Sequence, residues 1–179
     1  MSARTIARLG ILTSVALVLG WLERLVPIAP GIPGIKLGLG NTVLLYAIYM
    51  MKNRHAVLLM LLKVFLTGIL FAGFVGMLYS FAGGVVSLTV MILAKRIPRI
   101  GIIPVSMLGA VGHSVGQITV ACILLLARAA LFYFPVLFAA SVITGALSGL
   151  VAKYVLKSLQ LYRQKKNIDK PADESGNRS

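Results

Sequence analysis

Between Ala56 and Ala94 the chain runs for 39 residues with a single charge, Lys63, until the group Lys95-Arg96-Ile97-Pro98-Arg99 ends it. As one helix this stretch would reach about 58 Å, nearly twice a hydrocarbon core of about 30 Å. It therefore has to fold back, and Gly73-Phe74-Val75-Gly76 is where its composition favours a turn. No soluble domain of 179 residues has an interior large enough to hide such runs. Hydrophobic residues make up 59% of the chain and charged ones 12%, against roughly 45–50% apolar in a soluble domain. With a mean hydropathy of +0.95, lipid is the solvent that accepts these side chains.

Other spans follow from the same reasoning. The first runs from about Thr5 to Leu25, begins after Arg4 with Arg8 close by, and lacks a small-x-small cleavage site ahead of Trp21-Leu22-Glu23-Arg24, so it reads as uncleaved. Val26 to Lys36 carries Pro27, Pro30, Gly31, Pro33 and Gly34, which rules out a continuous helix. A second, short span runs from Leu39 to Met51, and its length implies that part of the preceding loop dips towards the membrane. Ile100 to Tyr154 makes another hairpin, with its turn around Arg128 to Pro135. From Lys165 onward the chain turns polar, and the composition divides it into a membrane domain, 1–160, and a disordered tail, 161–179.

Charge placement turns these runs into a topology. Basic groups lie at Arg4/Arg8, Lys52/Arg54, Lys95/Arg96/Arg99 and Lys153/Lys157/Arg163/Lys165/Lys166, with two spans fitting between each neighbouring pair. Placing every group in the cytoplasm leaves only Glu23, Arg24, Lys36 and Arg128 outside, a strong positive-inside bias. The expectation is an all-α bundle of six transmembrane helices in three hairpins, in the plasma membrane, with both termini cytoplasmic. The net charge of +14 thus serves orientation in the lipid bilayer. No basic stripe interleaved with aromatics is present, so nucleic acid is not an expected partner.

Several helix faces carry further information. Ala3, Ala7, Gly10 and Ser14 form one small-residue face, which suits either packing within the bundle or docking of a partner protein. Gly112-x-x-x-Gly116 and Ser141-x-x-x-Gly145-x-x-x-Gly149 read as internal seams. His113 and Gln117 lie one turn apart near mid-membrane, with Ser114 beside them. The histidine is either a hydrogen-bonded packing residue or a ligand or redox-partner contact. Lys63 either snorkels to the cytoplasmic surface or points inward and offers its charge to an anionic ligand. Lys36, Asn41 and Arg128 could add to such a site near the outer mouth, and Tyr79 is a further candidate for ligand contact.

Catalytic equipment is missing from the pattern. No Asp precedes Asp169, so the magnesium-holding Asp-rich motifs of prenyl transfer are lacking, as are a P-loop and a Ser/His/Asp triad. Neither an enzyme nor a metal site is expected; the single Cys122 and lone mid-membrane His supply no ligand set.

Leu22-Glu23, Pro27, Pro30-Gly31 and Pro33-Gly34-Ile35-Lys36-Leu37-Gly38-Leu39-Gly40-Asn41 resemble the Gx transporter family. So do Lys63 with Gly68, Tyr79-Ser80-Phe81-Ala82-Gly83-Gly84, and Gly109-Ala110-Val111-Gly112-His113-Ser114-Val115-Gly116-Gln117. Many members carry the description heptaprenyl diphosphate synthase component I, and the family is similar to the S components of energy-coupling factor vitamin transporters. That resemblance implies a six-helix substrate-binding subunit for a small vitamin-like ligand, with 26–38 as a lid. It also implies a transmembrane coupling subunit docked on Ala3-x-x-x-Ala7 and partner ATPases supplying the energy. No cofactor is expected on this reading. Some Gx-type proteins look like membrane subunits of extracellular electron-transfer loci, which would put a quinone or flavin near His113 and Gln117. A third possibility is a non-catalytic accessory role in prenyl diphosphate synthesis, through Lys63 and Arg128.

Overall fold

The computed structural model describes residues 1–25, 38–125, 132 and 134–168, and among these the secondary structure is helical throughout. Helix α1 spans Ala3–Leu25, α2 Leu39–Met50 and α3 Asn53–Thr67. A π-helical turn, Gly68–Ala72, continues α3, and α4 (Gly73–Ala94), α5 (Ile102–Leu125) and α6 (Phe134–Ile168) follow. Among the described residues, four stretches are long and apolar enough to cross a membrane: Ala3–Leu25, Asn53–Ala94, Ile102–Leu124 and Phe134–Leu161. The chain is therefore a polytopic helical membrane protein. Six full spans is more than these lengths give, because α2 has 12 residues and rises only about 18 Å.

Local sequence explains where the helices start and stop. Ser2 opens α1, its carbonyl accepting from the Thr5 and Ile6 amides and its hydroxyl meeting that of Thr5 at 2.9 Å. The long Asn53–Ala94 run reverses at Gly73, whose φ of +67° is a conformation that an L side chain resists. Gly68 faces Met77 and Gly84 faces Met60, pairs spaced almost symmetrically about Gly73, so α3 and α4 run antiparallel. The fold-back expected near Gly73 is thus observed. Between α4 and α5, the tight turn closes through Arg99, the one non-glycine residue with positive φ among the described residues. Pro135, placed by the sequence in a turn, instead occupies the first helical turn of α6, where its missing N–H costs nothing. Helix α6 itself continues to Ile168, past the residue-160 boundary, because no Gly or Pro interrupts the polar helix formers that follow it.

α2 packs against all five other α-helices. Seven of its residues are buried, with Ala47 and Ile48 fully so, which makes the shortest helix the centre of the bundle. Around it α4, α5 and α6 pack on glycine seams. A Cβ at Gly116 would lie 2.6 Å from the Ala82 carbonyl oxygen, and one at Gly145 2.7 Å from Met107 Cα. The two stripes expected to be internal are internal. The exposed surface, in contrast, presents large apolar side chains such as Ile11, Ile69, Phe74, Ile123 and Ile143, as lipid contact requires.

Helix α1 settles its two readings differently. Leu9, Thr13 and Ala16 form its buried stripe, whereas Ala3, Ala7, Gly10 and Ser14 are all exposed. Nothing lies within 4 Å of a Cβ built at Gly10. The small-residue face therefore packs against none of the described helices.

Candidate functional site

Between the helices lies a partly open cavity of about 110 Å³ that all six α-helices help to line. Its chemistry comes from stripes at helical spacing. On α4 these are Ser80, Gly84, Ser87 and Met91; on α5, Ser106, Gly109/Ala110, His113/Ser114 and Gln117. Each helix thus presents small and hydroxyl-bearing residues inward while its larger apolar residues face out.

Lys63 on α3 turns into this cavity and donates to Asn41 Oδ1 of α2 at 3.1 Å. The inward reading of Lys63 is the one the fold adopts. Room for the ammonium comes from Gly40, where a Cβ would lie 2.9 Å from Nζ. Across the cavity the His113 ring packs on Gly83, with a Cβ there only 2.8 Å from the imidazole Cε1. The adjacent Gly84 faces Met60 and Val64 of α3. One glycine pair on α4 therefore lets both the histidine-bearing and the lysine-bearing helix approach closely.

At the C-terminal end of α1, Glu23 accepts a hydrogen bond from the Gly38 amide at the start of α2. A carboxylate at this position meets the positive end of the helix dipole and satisfies an N–H that would otherwise lack an intrahelical partner. Arg24 donates to the Phe71 carbonyl at 2.9 Å and lies 5.5 Å from the centre of its ring. This ties α1 to the turn between α3 and α4. On α6, Ser141 Oγ donates to the Leu137 carbonyl at 2.6 Å and meets Ser114 Oγ at 2.6 Å. Since Ser141 has one proton, Ser114 is the donor in the second bond.

Of the sequence candidates, Asn41, Lys63, His113 and Gln117 converge on one cavity. Tyr79 does not line it, although its neighbour Ser80 does, because successive helix residues point about 100° apart. Lys36, Arg128 and the proposed lid residues Pro27, Pro30, Gly31, Pro33 and Gly34 lie outside the described residues. Sequence reasoning missed Ser80, Ser87, Ser106, Thr144 and Ser148, all of which line the cavity. The signal was present as hydroxyl residues at helical spacing, Ser80 and Ser87 seven apart on α4, and Ser141, Thr144 and Ser148 three and four apart on α6. Single hydroxyls in apolar helices are so readily satisfied by the preceding turn that such spacing draws little notice.

Gly83→Ala is expected to displace His113, since its new methyl would overlap the ring. The readout is the His113 imidazole resonance in the labelled protein. An unshifted resonance would show that the ring is not seated on Gly83.

A helical membrane protein built around a central short helix, with a polar cavity holding one inward lysine, is the class that fold and site define. The chain belongs to the heptaprenyl diphosphate synthase component I family, whose model matches residues 12–155. No curated protein and no solved structure matches it.

Proposed function

We propose that the protein is a membrane-embedded substrate-binding subunit, similar in working to an S component, for uptake of a small molecule through an ATP-driven partner. The observation that carries this reading is the cavity, with Lys63, Asn41, His113 and Gln117 converging inside an otherwise apolar bundle. Polar groups in that setting are costly to keep, and a solute that uses them is the simplest return. On this reading the chain forms six membrane segments in the plasma membrane, with both ends in the cytoplasm. It is not itself an enzyme and takes no resident cofactor. The ligand enters from outside over 26–38 as a lid.

Support for a partner comes from α1, whose small-residue face is exposed and unoccupied by the other described helices. A transmembrane coupling subunit working with ATPases is the expected occupant. Ala7→Trp should abolish copurification with that subunit while shifting stability by no more than about 0.5 kcal/mol, as exposed substitutions do. An intact complex with the tryptophan in place would reject docking on this face.

The family description supports a second reading, a non-catalytic accessory that binds a prenyl diphosphate. His113 and Gln117 in the cavity would also suit a quinone or flavin headgroup. Native mass spectrometry of the protein released from nanodiscs separates the three. A bound small polar solute supports uptake; a prenyl diphosphate, quinone or flavin would replace that reading.

A further inference from the structure

One end of the bundle concentrates positive charge that the fold leaves unanswered. Helices α2 and α4 finish there, and α3 and α5 begin. The two turns lie side by side, because Lys95 Nζ reaches across to the Ile48 carbonyl at 2.6 Å and rests 5.1 Å from the Tyr49 ring centre. Lys52 and Arg54 belong to one turn, Arg96 and Arg99 to the other, and all four are exposed. Unlike Lys95, none of these four side chains makes a hydrogen bond or ion pair with a described residue.

Counter-charge is scarce in the rest of the chain. Glu23, the one acid among the described residues, holds the Gly38 amide at the far end of α2, about 18 Å away by helical rise. Asp169, Asp173 and Glu174 share 169–179 with Lys170 and Arg178, so the side chains of that segment bring a net charge of only −1. Helix polarity adds to the imbalance. Neither α3 nor α5 has an acidic residue in its first turn, and Lys52, the N-cap of α3, makes no capping side-chain bond. Two positive helix ends therefore lie beside the four cations.

Arg99 points to a purpose beyond orientation in the bilayer. Its φ of +65° is a conformation that glycine takes freely and arginine resists. Lys95 and Arg96 already supply positive charge at this end, so orientation does not require a cation at position 99. A guanidinium kept there against backbone strain suits a ligand that uses its planar fork, as phosphate oxygens do. Apolar surface adjoins the charge, since Leu93 and Ile97, one turn apart, are 56% and 53% exposed. Phosphate beside aliphatic surface at the end of a membrane helix is the chemistry of a phospholipid.

We propose that the two adjoining turns bind the headgroup of an anionic phospholipid. Arg96 and Arg99 hold its phosphate, Lys52 and Arg54 flank it, and the acyl chains lie along Leu93 and Ile97. The site does not rest on the uptake reading, so either can fail without the other.

Native mass spectrometry of the full chain in detergent micelles, titrated with phosphatidylglycerol or with phosphatidylcholine of the same chain length, tests this. Phosphatidylglycerol should bind about tenfold tighter, and millimolar inorganic phosphate should not displace it. The double variants Arg96→Gln/Arg99→Gln and Arg4→Gln/Arg8→Gln remove the same net charge, the second from exposed positions on α1. The first should weaken phosphatidylglycerol about tenfold and the second less than about twofold. Arg99→Gly relieves the backbone, so its melting temperature without lipid should not fall, yet it should bind phosphatidylglycerol several-fold more weakly. Arg99→Lys keeps the charge without the fork and should fall between. Equal affinity for the two lipids, displacement by inorganic phosphate, equal losses in the two double variants, or an Arg99→Gly variant that binds like the unaltered chain would each overturn the proposal.

Discussion

Gly116→Val is expected to prevent accumulation of folded protein, with a loss of about 3 kcal/mol or more. The reason lies in what surrounds the position. A Cβ there would lie 2.6 Å from the Ala82 carbonyl oxygen and 2.8 Å from Gly83 Cα. These are backbone atoms of α4, so no side chain can swing aside, and the two helices must separate along their seam. In lipid that separation is especially damaging, because close packing rather than water expulsion holds such helices together. Gly10→Ala is the matched control, since nothing lies within 4 Å of its Cβ and alanine is the better helix former. Size-exclusion profiles and melting temperatures in detergent should show loss for the first and none for the second. Equal behaviour of the two would mean that the α4–α5 seam is not as tight as described.

Glu23→Ala should lower stability by about 1.5–3 kcal/mol, the range for removing a charged hydrogen-bond partner. The substitution takes the acceptor from the Gly38 amide and the carboxylate from the N-terminus of α2. Gly38 cannot easily compensate by changing residue type, because its φ is +75° and a Cβ would lie 3.0 Å from Ser148 Oγ. Glu23→Gln keeps an acceptor of the same length and should cost less than half as much. A melting temperature indifferent to both changes would show that Glu23 is a surface carboxylate and not the cap of α2.

Much of this architecture was legible in the sequence because membrane constraints are severe. The length of Ala56–Ala94 demanded a reversal, and Gly73 supplied it. The Gly112/Gly116 and Gly145/Gly149 stripes announced close helix contact, which the fold contains. Four cavity residues were also readable, since Asn41, Lys63, His113 and Gln117 are polar where polarity is expensive.

What the sequence left open had physical causes as well. Lys63 has a stem long enough to reach either water or the interior, so its direction depends on Gly40 and Asn41, residues more than twenty positions away. Whether the Ala3–Ser14 face was inside or outside could not follow from small residues alone, because they suit both. The burial of Leu9, Thr13 and Ala16 decided it by turning the opposite stripe inward. Tyr79 stands outside the cavity that its neighbour Ser80 lines, because one position on a helix is a rotation of about 100°.

Helix α2 is fastened at both ends by side chains from other elements. Glu23 of α1 holds the Gly38 amide at its N-cap, and Lys95 at the end of α4 donates to the Ile48 carbonyl at 2.6 Å while resting 5.1 Å from the Tyr49 ring centre. Mechanically it is a crossbar and not a piston. Sliding it by one turn, about 5.4 Å, would break both fastenings at once. A solute that passes this helix must therefore do so by a movement that carries α1 and α4 along with it.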